Sequence, residues 1–377
     1  MISLSELLHP ITPDVFYSRY YDRQPLHIPA DGTAQKDSLF GWDDFNDLLN
    51  RPGQWTPQSL KLVHNTQPVP MDRYCREVLT AQGRMPQPDP RKIELFLARG
   101  ASLVADDVGP LHPAIAQLSV ALSQEFAAQI GANIYCSFKN VQAFGPHLDL
   151  HHVFAVQVEG EKVWRLYRNR IADIVEMPAS GSDLPQWFRA NCGPLEQEIT
   201  MKPGDVLYLP RGWFHDALAK DGASLHVTYS VTPLYGRILF SLLENAALQD
   251  SDFRQYFPPA AKDGGRALQA HLTKLGQKLA ALCAHPAFRD EVAMAQNRLV
   301  PRPGRFQLPQ VPELTLYQVQ HMTPPAFGGP VAHAMQHAYS LREFTLENII
   351  ALFDFVPEAD IRAAVEKAVA TGSLKRI

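Results

Sequence analysis

The hydrophobic pattern of the first part of the chain is irregular and then becomes helical. Residues 1 to about 100 mix short helical patterns, SLSELL and DVFYSRYY, with an extended piece, PLHIP. In residues 112–130, HPAIAQLSVALSQEFAAQI, apolar residues recur at helical spacing, and Gly131 is expected to end that helix. This part of the chain is therefore predicted to combine short helices and strands and to close on one longer helix.

After Gly131 the period of the pattern changes to two. Short runs rich in Val, Ile, Tyr and Phe follow one another, separated by Gly, Pro, Asp and Asn: ANIYCSF, VFAVQVEG, KVWRLY, EQEITM, DVLYLP and SLHVTYSV. Regularly spaced short strands with turn signals between them are typical of a β-sandwich or barrel of the jelly-roll type. The architecture predicted for this region is the double-stranded β-helix, which is the cupin architecture.

From about residue 236 the pattern is helical again. RILFSLLENAAL, RALQAHLTKLGQKLAALC and PAFRDEVAMAQNRL have wide apolar faces that suit a helical bundle. A proline-rich linker over 300–313 leads to a tail with one strand, ELTLYQVQ, the segment VAHAMQHAYSL, and two final helices, TLENIIALF and EADIRAAVEKAVATGSLKRI, closed by a glycine. A small helix-rich module with a strand or two is predicted there.

Composition and charge narrow the class of protein. The chain has 377 residues, 46% hydrophobic and 20% charged, as in an ordinary soluble protein with a sizeable core. A net charge of -4 gives no general attraction to nucleic acid or anionic membranes, although a local basic patch stays open. No apolar run is long enough to span a bilayer, and the N-terminus has no secretory pattern. The four scattered cysteines predict reduced thiols in the cytoplasm.

The candidate chemistry lies in the strand-rich region. In FGPHLDLHHVF, His147 and Asp149 are two residues apart on an extended stretch, so their side chains are expected to point to the same face. His215 follows in DVLYLPRGWFHDA, on or just after another strand. Two histidines and one carboxylate on one face leave coordination positions of an octahedral metal open, the arrangement that Fe(II) oxygenases use. With 14 histidines in the chain a His-x-Asp pair alone is weak, and the strand-and-turn setting strengthens the hypothesis.

These segments closely resemble one family. GANIYCSFKNVQAFGPHLDLHHVFAVQVEGEKVWRLY, KPGDVLYLPRGWFHDA and SLHVTYSV are similar to the JmjC-type ribosomal oxygenases of the cupin superfamily, and YYDRQPLHIP resembles that family's N-terminal signature. The resemblance implies an α+β fold with a JmjC/cupin catalytic domain over 1–235, including an N-terminal helix-and-strand extension. It further implies a helical dimerisation region over 236–305 and a winged-helix-like module over 306–377.

The resemblance also implies roles for single residues. It makes His147, Asp149 and His215 the Fe(II) ligands and the catalytic residues, with 2-oxoglutarate as co-substrate and O2 as oxidant. Lys162 of EGEKVW would pair with the distal carboxylate of 2-oxoglutarate. The alternative for Lys162 is a solvent-facing lysine in a charged turn beside Glu161.

Further residues are expected around the co-substrate. Asn133 and Tyr135, alternate residues of NIYCSF, would line the co-substrate or substrate pocket, unless they are an ordinary buried amide and strand tyrosine. Thr228 matches a position that lines the co-substrate pocket in the family. His226, on the same face, is either a second-shell group or a core histidine whose hydrogen bonds are satisfied.

One departure from the family pattern is the run HLDLHH. His151 has the same parity as His147 and Asp149 and offers a fourth imidazole or a substrate-binding group. A fourth ligand would close the site to oxygen, so His151 is expected at the pocket entrance and not on the metal.

The function predicted is hydroxylation of an unactivated C–H bond, on an arginine or histidine side chain of a ribosomal or other protein. The resemblance implies a homodimer and a protein or peptide substrate. The cysteines, the hydropathy and the net charge predict a cytoplasmic location with no membrane and no direct nucleic-acid partner. Two alternatives stay open: a hydroxylase of a small molecule or peptide natural product, and a non-catalytic cupin protein that serves interactions. An intact ligand set together with Lys162 disfavours the second.

Overall fold

The computed structural model describes residues 2–32, 39–81, 83–138, 143–181, 183–220, 222–301, 313–321 and 325–377. Its chain divides into two units, Met1–Thr232 and Pro233–Ile377. Most of the proline-rich linker predicted at 300–313 lies outside the described residues. No helix in the described ranges is both long and apolar enough to cross a membrane.

The first unit is built from strands β1 to β13. In chain order they are Leu26–Ile28, Leu60–His64, Gln67–Pro68, Cys75–Thr80, Gly83–Pro88, Ser102–Ala105, Ala128–Phe138, His152–Glu159, Lys162–Arg170, Leu195–Met201, Val206–Leu209, Trp213–Leu218 and Ala223–Pro233. Its helices and helical turns are Leu4–Leu8, Pro13–Val15, Phe16–Tyr20, Trp42–Leu49, Pro52–Gln54, Met71–Tyr74, Pro90–Ala98, Gly109–Leu111, Pro113–Phe126 and Asp183–Asn191.

The strands form two sheets that face each other. The larger sheet has eight strands in the order β1-β11-β8-β13-β7-β6-β2-β3, and the smaller has three in the order β10-β9-β12. Antiparallel pairing sets the register, for example Val156 of β8 opposite Val206 of β11 and opposite Val227 of β13. A separate hairpin, β4-β5, stands outside both sheets and was not predicted.

Strand β8 has an almost continuous apolar sequence because both of its faces are buried. Val153 and Ala155 pack in the core between the two sheets. Phe154 and Val156, which alternate with them, pack in a larger core on the other face of the big sheet. That second core includes Phe16 and residues of the helix Pro113–Phe126. Because a core covers each face of the sheet at β8, both of these sets of alternate residues along the strand are apolar.

The helix predicted over 112–130 ends earlier, and this part of the prediction is wrong. It stops at Phe126, and Ala127 adopts the left-handed conformation with φ of 46°. The residues that follow pair as strand β7, where Gly131 is internal and its N–H donates to the Ser230 hydroxyl at 3.1 Å. A Cβ there would lie 2.6 Å from the Ser230 hydroxyl oxygen, so this glycine serves close strand contact. Sheet pairing has overridden the local helical pattern.

The second unit contains helices followed by a small mixed module. The helices and helical turns are Ile238–Ala247, Ser251–Arg254, Lys262–Gly265, Arg266–Ala284 and Pro286–Asn297. The tail adds strands β14 to β16, Leu316–Val319, Glu343–Thr345 and Leu374–Arg376, and helices Val331–Ser340, Leu346–Leu352 and Glu358–Ala370. The strands form an antiparallel sheet in the order β15-β14-β16 over a core of their own. The last strand, after Gly372, was not predicted.

Candidate metal centre

The segment before β8 and strand β12 are held together by backbone hydrogen bonds. The His147 N–H donates to the His215 carbonyl at 3.0 Å, and the His215 N–H donates to the His147 carbonyl at 2.8 Å. The Gly212 N–H donates to the Asp149 carbonyl at 2.8 Å. The main chain therefore fixes His215 beside His147 and Asp149, which lie much earlier in the sequence.

Both histidines present the same ring nitrogen to the site. Nδ1 of His147 lies 2.9 Å from the Gly145 carbonyl, and Nδ1 of His215 lies 3.0 Å from the Trp213 carbonyl. Because a carbonyl only accepts, each Nδ1 carries the proton and each Nε2 keeps its lone pair. The backbone thus selects the tautomer that binds a metal through Nε2.

The ligand atoms lie close together. His215 Nε2 is 3.6 Å from an Asp149 carboxylate oxygen, and the His147 and His215 ring centroids are 4.4 Å apart. The potential ligand atoms of all three residues lie within 4.8 Å of one another. In the described ranges this is the one group of three or more His, Cys, Asp or Glu residues that meets this spacing. Two imidazoles and one carboxylate are a donor set suited to Fe(II).

The protonation states also suit a metal. Burial alone would raise the pKa of Asp149, but the neighbouring His147 and His215 outweigh it and hold that pKa below its usual value. Burial, together with the nearby His147, lowers the pKa of His215 to about 4. At neutral pH the carboxyl is therefore ionised and the His215 imidazole is neutral, as metal coordination requires.

All nine predicted site residues line one cavity of about 280 Å³. Besides the three candidate ligands they are Asn133, Tyr135, His151, Lys162, His226 and Thr228. The cavity also includes residues that were not predicted: Ala143, Phe144, Val153, Trp164, Ala217 and Ser230. The structure thus brings the whole predicted set together, and the role of each member stays a prediction.

Lys162 is a buried ammonium. The residue is 2% exposed, and burial lowers its pKa to about 8, with a small opposing effect of Cys136. Its neighbour Glu161 points outward, 4.0 Å from the ammonium of Lys202. The alternative of a solvent-facing Lys162 is therefore wrong. No ion pair or hydrogen bond of its ammonium is found in the part of the chain that the structure describes.

Other polar atoms of the cavity lining have no hydrogen-bond partner in the described structure. They are Trp164 Nε1, His226 Nδ1 and the Thr228 hydroxyl, and each is buried. Burial, with the charge of Lys162, holds the pKa of His226 well below its usual range. Because buried polar groups are normally paired, this set favours a polar ligand in the cavity, and the ammonium favours an anionic one.

Asn133 and Tyr135 are fixed before any ligand arrives. The Asn133 side-chain oxygen accepts from the Asp107 N–H at 3.1 Å, and the Asn133 side chain is also hydrogen-bonded to Tyr135. The Tyr135 ring stacks on His226 with centroids 4.9 Å apart and planes 8° apart. Both side chains are therefore held in defined positions at the cavity wall.

The two extra histidines of HLDLHH differ in their surroundings. His151 lines the cavity but does not belong to the ligand group, and its Nδ1 lies 3.2 Å from the His152 carbonyl. His152 is buried away from the cavity, with Nδ1 3.1 Å from the Tyr208 hydroxyl. Burial lowers the pKa of His152 to about 4.

Trp164 was not among the predicted site residues, and it belongs both to a core and to the cavity lining. It packs in the core between the sheets, and its ring also stacks on His215 at 5.7 Å and lines the cavity. The sequence carried a signal for this, because Trp164 lies two residues after Lys162 on one strand and therefore on the same face. Phe144, beside His147 at 6.0 Å, had no such signal because it lies outside any strand.

Comparisons with known proteins agree with this geometry. A sequence profile of the JmjC domain matches residues 111–237. The chain is 31% identical over 262 residues to ribosomal oxygenase 1 of Rattus norvegicus, covering 67% of this chain and 41% of that protein. It is 29% identical over 230 residues to the bifunctional lysine-specific demethylase and histidyl-hydroxylase NO66 of Drosophila willistoni, covering 60% and 28%. The chain therefore spans less than half the length of these relatives.

Solved structures show the same fold over most of the chain. The crystal structure of Escherichia coli ribosomal oxygenase YcfD matches with a TM-score of 0.50 at 15% identity, covering 97% of this chain and 98% of that one. A second structure of YcfD, in complex with cobalt and 2-oxoglutarate, matches with a TM-score of 0.50 at 17% identity, covering 97% of both chains. Sequence and fold together show that residues 111–237 are a JmjC domain, homologous to that of ribosomal oxygenase 1, and that the chain has the fold of YcfD.

Proposed function

We propose that the chain is an Fe(II)- and 2-oxoglutarate-dependent oxygenase that hydroxylates an unactivated C–H bond. One observation carries the proposal: His147, Asp149 and His215 share a cavity with the buried, unpartnered ammonium of Lys162. A metal-binding scaffold without 2-oxoglutarate has no need of that ammonium, whose burial is unfavourable without an anion.

In this proposal one set of residues binds the metal and another residue binds and orients the co-substrate. His147, Asp149 and His215 would hold the iron, with both imidazoles oriented by their Nδ1 hydrogen bonds to the backbone. Lys162 would bind the distal carboxylate of 2-oxoglutarate. When bound, iron, 2-oxoglutarate and O2 supply the oxidising power, which converts C–H into C–OH and 2-oxoglutarate into succinate and carbon dioxide. The relative that binds cobalt and 2-oxoglutarate supports this assignment.

The substrate proposed is a side chain, arginine or histidine, of a ribosomal or other protein. It is supported by the names of the relatives, which are ribosomal oxygenases and a histidyl-hydroxylase that is also a lysine-specific demethylase. A hydroxylase of small molecules or peptide natural products is the alternative, because residues at the cavity entrance such as His151 select the substrate.

Succinate formation tests the activity. The purified protein is incubated with Fe(II), ascorbate and 2-oxoglutarate, with and without ribosomal protein extract. We expect succinate from the wild type and none above background from His147→Ala. His64→Ala, at a partly exposed histidine of β2 outside the cavity, is the control and is expected to match the wild type. If the wild type forms no more succinate than His147→Ala, the proposal is wrong.

Intact-mass analysis of ribosomal proteins separates the two substrate classes. A gain of one oxygen atom on a ribosomal protein in cells that carry the gene, lost on deletion and restored by wild type but not His147→Ala, supports the protein substrate. Succinate formation in vitro without such a mass change in cells favours the small-molecule alternative.

We also propose that residues 236–305 form a dimerisation region. The helix Arg266–Ala284 has no buried residue, although it carries apolar side chains. Phe240, Tyr256 and Phe257 are 74%, 100% and 59% exposed. Exposed apolar side chains in such number are typical of a surface that another chain covers.

The remaining proposals concern domains and location. Residues 1–235 would form the catalytic domain, and residues 306–377 a winged-helix-like module, supported by three helices and a three-stranded antiparallel sheet around one core. A cytoplasmic location fits a ribosomal-protein substrate. A protein partner, without direct nucleic-acid binding, is proposed for the chain as a whole.

A further inference from the structure

A cluster of charged residues joins the N-terminal segment YYDRQP to the end of strand β9. The Arg170 guanidinium donates to the Asp22 carbonyl at 2.8 Å and to the Asp22 carboxylate. Asp22 has a left-handed backbone, with φ of 53°, and its N–H donates to the buried Tyr208 hydroxyl at 2.9 Å. Asp22 is thus fixed to β11 by its backbone while its carbonyl and carboxylate both accept from one guanidinium.

The same guanidinium reaches the turn that precedes β12. Nε of Arg170 donates to the Arg211 carbonyl at 3.1 Å. The next residue, Gly212, donates its N–H to the Asp149 carbonyl and accepts at its own carbonyl from the Ile171 N–H at 2.9 Å. A continuous chain of hydrogen bonds therefore runs from Asp22 through Arg170 and this turn to the backbone of Asp149.

The turn also leads directly into His215. Pairing between β12 and β9 is regular from His215 onward but shifts register between Trp213 and His215, so neighbouring strand pairing does not fix the turn by itself. Arg211 adds an ion pair with Asp173 at 2.9 Å, but Asp173 is 82% exposed, and exposed pairs contribute little. The Arg170 side chain is only 15% exposed and has the better-protected contacts.

We infer that Asp22 and Arg170 are positioning residues of the metal centre, which set where Asp149 and His215 stand through the Arg211–Gly212 turn. The inference rests on the proposed metal site. It means that the YYDRQP segment, through Asp22, contributes to metal binding. A planar guanidinium with several fixed donors suits this task, since it bonds one carboxylate and three carbonyls at once. Groups outside the ligand set that orient ligands contribute substantially to metal affinity.

The test is Mn(II) binding to the metal-free full chain, by calorimetry and by electron paramagnetic resonance. Arg170→Lys keeps the charge but not the fork of donors. Asp22→Asn tolerates the left-handed backbone but removes the carboxylate that pairs with Arg170 and, at 4.0 Å, with Arg211. We expect the Mn(II) Kd to rise about tenfold or more for Arg170→Lys and by a smaller factor for Asp22→Asn. The resonance of bound Mn(II) is expected to broaden in both variants.

Matched controls separate positioning from general folding. Arg168→Lys, at an exposed arginine of the same strand, and Asp173→Asn are expected to bind Mn(II) like the wild type. Thermal unfolding of the metal-free proteins shows whether each variant is folded, and Asp22→Asn serves if Arg170→Lys does not fold. If the folded variants bind Mn(II) with the wild-type Kd and spectrum, the inference is wrong. If the wild type itself binds no Mn(II), the proposed metal site fails first.

Discussion

At the scale of single residues, the buried ammonium of Lys162 suits the binding of an anion but lowers the stability of the ligand-free protein. Its ammonium is almost fully buried, beside a tyrosine-stacked histidine and an unpaired indole N–H. Burying a charge without a partner is unfavourable, and the lowered pKa expresses this. Such a lysine is retained for the anion that it binds and not for the fold.

Replacing Lys162 by Met is expected to have opposite effects on activity and stability. Loss of the ammonium should raise the KM for 2-oxoglutarate about 30-fold or more, because a buried charge pair is removed. The ligand-free variant should unfold at a higher urea concentration than the wild type, because no charge is left buried. Succinate assays and urea unfolding measure the two effects.

Lys202→Met is the matched control. Lys202 is 65% exposed, and within the described ranges its ammonium pairs with Glu161 alone, so neither KM nor unfolding is expected to change measurably. A Lys162→Met variant with wild-type KM would show that the lysine does not contact the co-substrate.

His152 makes the protein sensitive to acid. Its folded-state pKa is about 4, below the ordinary value of 6.5, because the ring is buried. Between these values the unfolded chain takes up a proton that the folded chain resists, so stability falls as pH decreases from about 6.5 to about 4. The contribution of this one group is about 3 kcal/mol across that interval.

The His152→Gln variant is expected to lose that part of the pH dependence. Glutamine does not titrate and its amide offers a partner to the Tyr208 hydroxyl. Urea unfolding at a series of pH values should give a shallower slope of stability against pH than in the wild type. An unchanged slope in His152→Gln would show that other groups account for acid unfolding.

At the level of elements, the turn before β12 is the most constrained part of the site. Gly212 has φ of +75°, and a Cβ there would lie 1.9 Å from the Ile171 carbonyl oxygen. Any side chain must therefore displace the end of β9 or the turn. The turn's N–H contact with Asp149 would move with it.

The Gly212→Ala variant is expected to be destabilised by about 3 kcal/mol or more and to bind Mn(II) weakly even where it stays folded. Gly53→Ala is the control, since a Cβ at this exposed glycine meets nothing within 4 Å and its backbone is not left-handed. Thermal unfolding and Mn(II) titration are the measurements. Wild-type behaviour of Gly212→Ala would contradict the geometry of the turn.

Strand content was predictable because alternation is a local property. The runs around β8, β9, β10, β11 and β13 all form strands. The end of the helix before β7 was not predictable, because the pairing of β7 with distant strands decides it. The β4-β5 hairpin was not predictable either, because it depends on an isolated turn. Local helical spacing in TLENIIALF and EADIRAAVEKAVATG was sufficient to predict the last two helices, but the final strand needs a partner in β14 that the local pattern does not show.

At the level of the whole molecule, the helices of 236–305 leave apolar side chains uncovered. If a second copy covers them, Phe240→Glu should convert a dimer into a monomer, because a carboxylate would be buried in an apolar interface. Light scattering at several protein concentrations measures the mass.

Leu79→Glu is the control for that experiment. Leu79 is 81% exposed but lies on the β4-β5 hairpin of the first unit, outside 236–305. It is expected to keep the wild-type mass. A monomeric wild type, or a Phe240→Glu variant that stays dimeric, would contradict dimerisation through this region.

The sequence by itself determined the strand-rich architecture and the candidate ligands His147, Asp149 and His215. Alternation places i and i+2 side chains on one face, and the motif segments carry a family resemblance, so both are contained in local sequence. Burial of Lys162 and the link from Asp22 through Arg170 to the Asp149 backbone were decided only by the tertiary structure. These depend on which distant backbone atoms and charges meet, and spacing along one chain does not specify that.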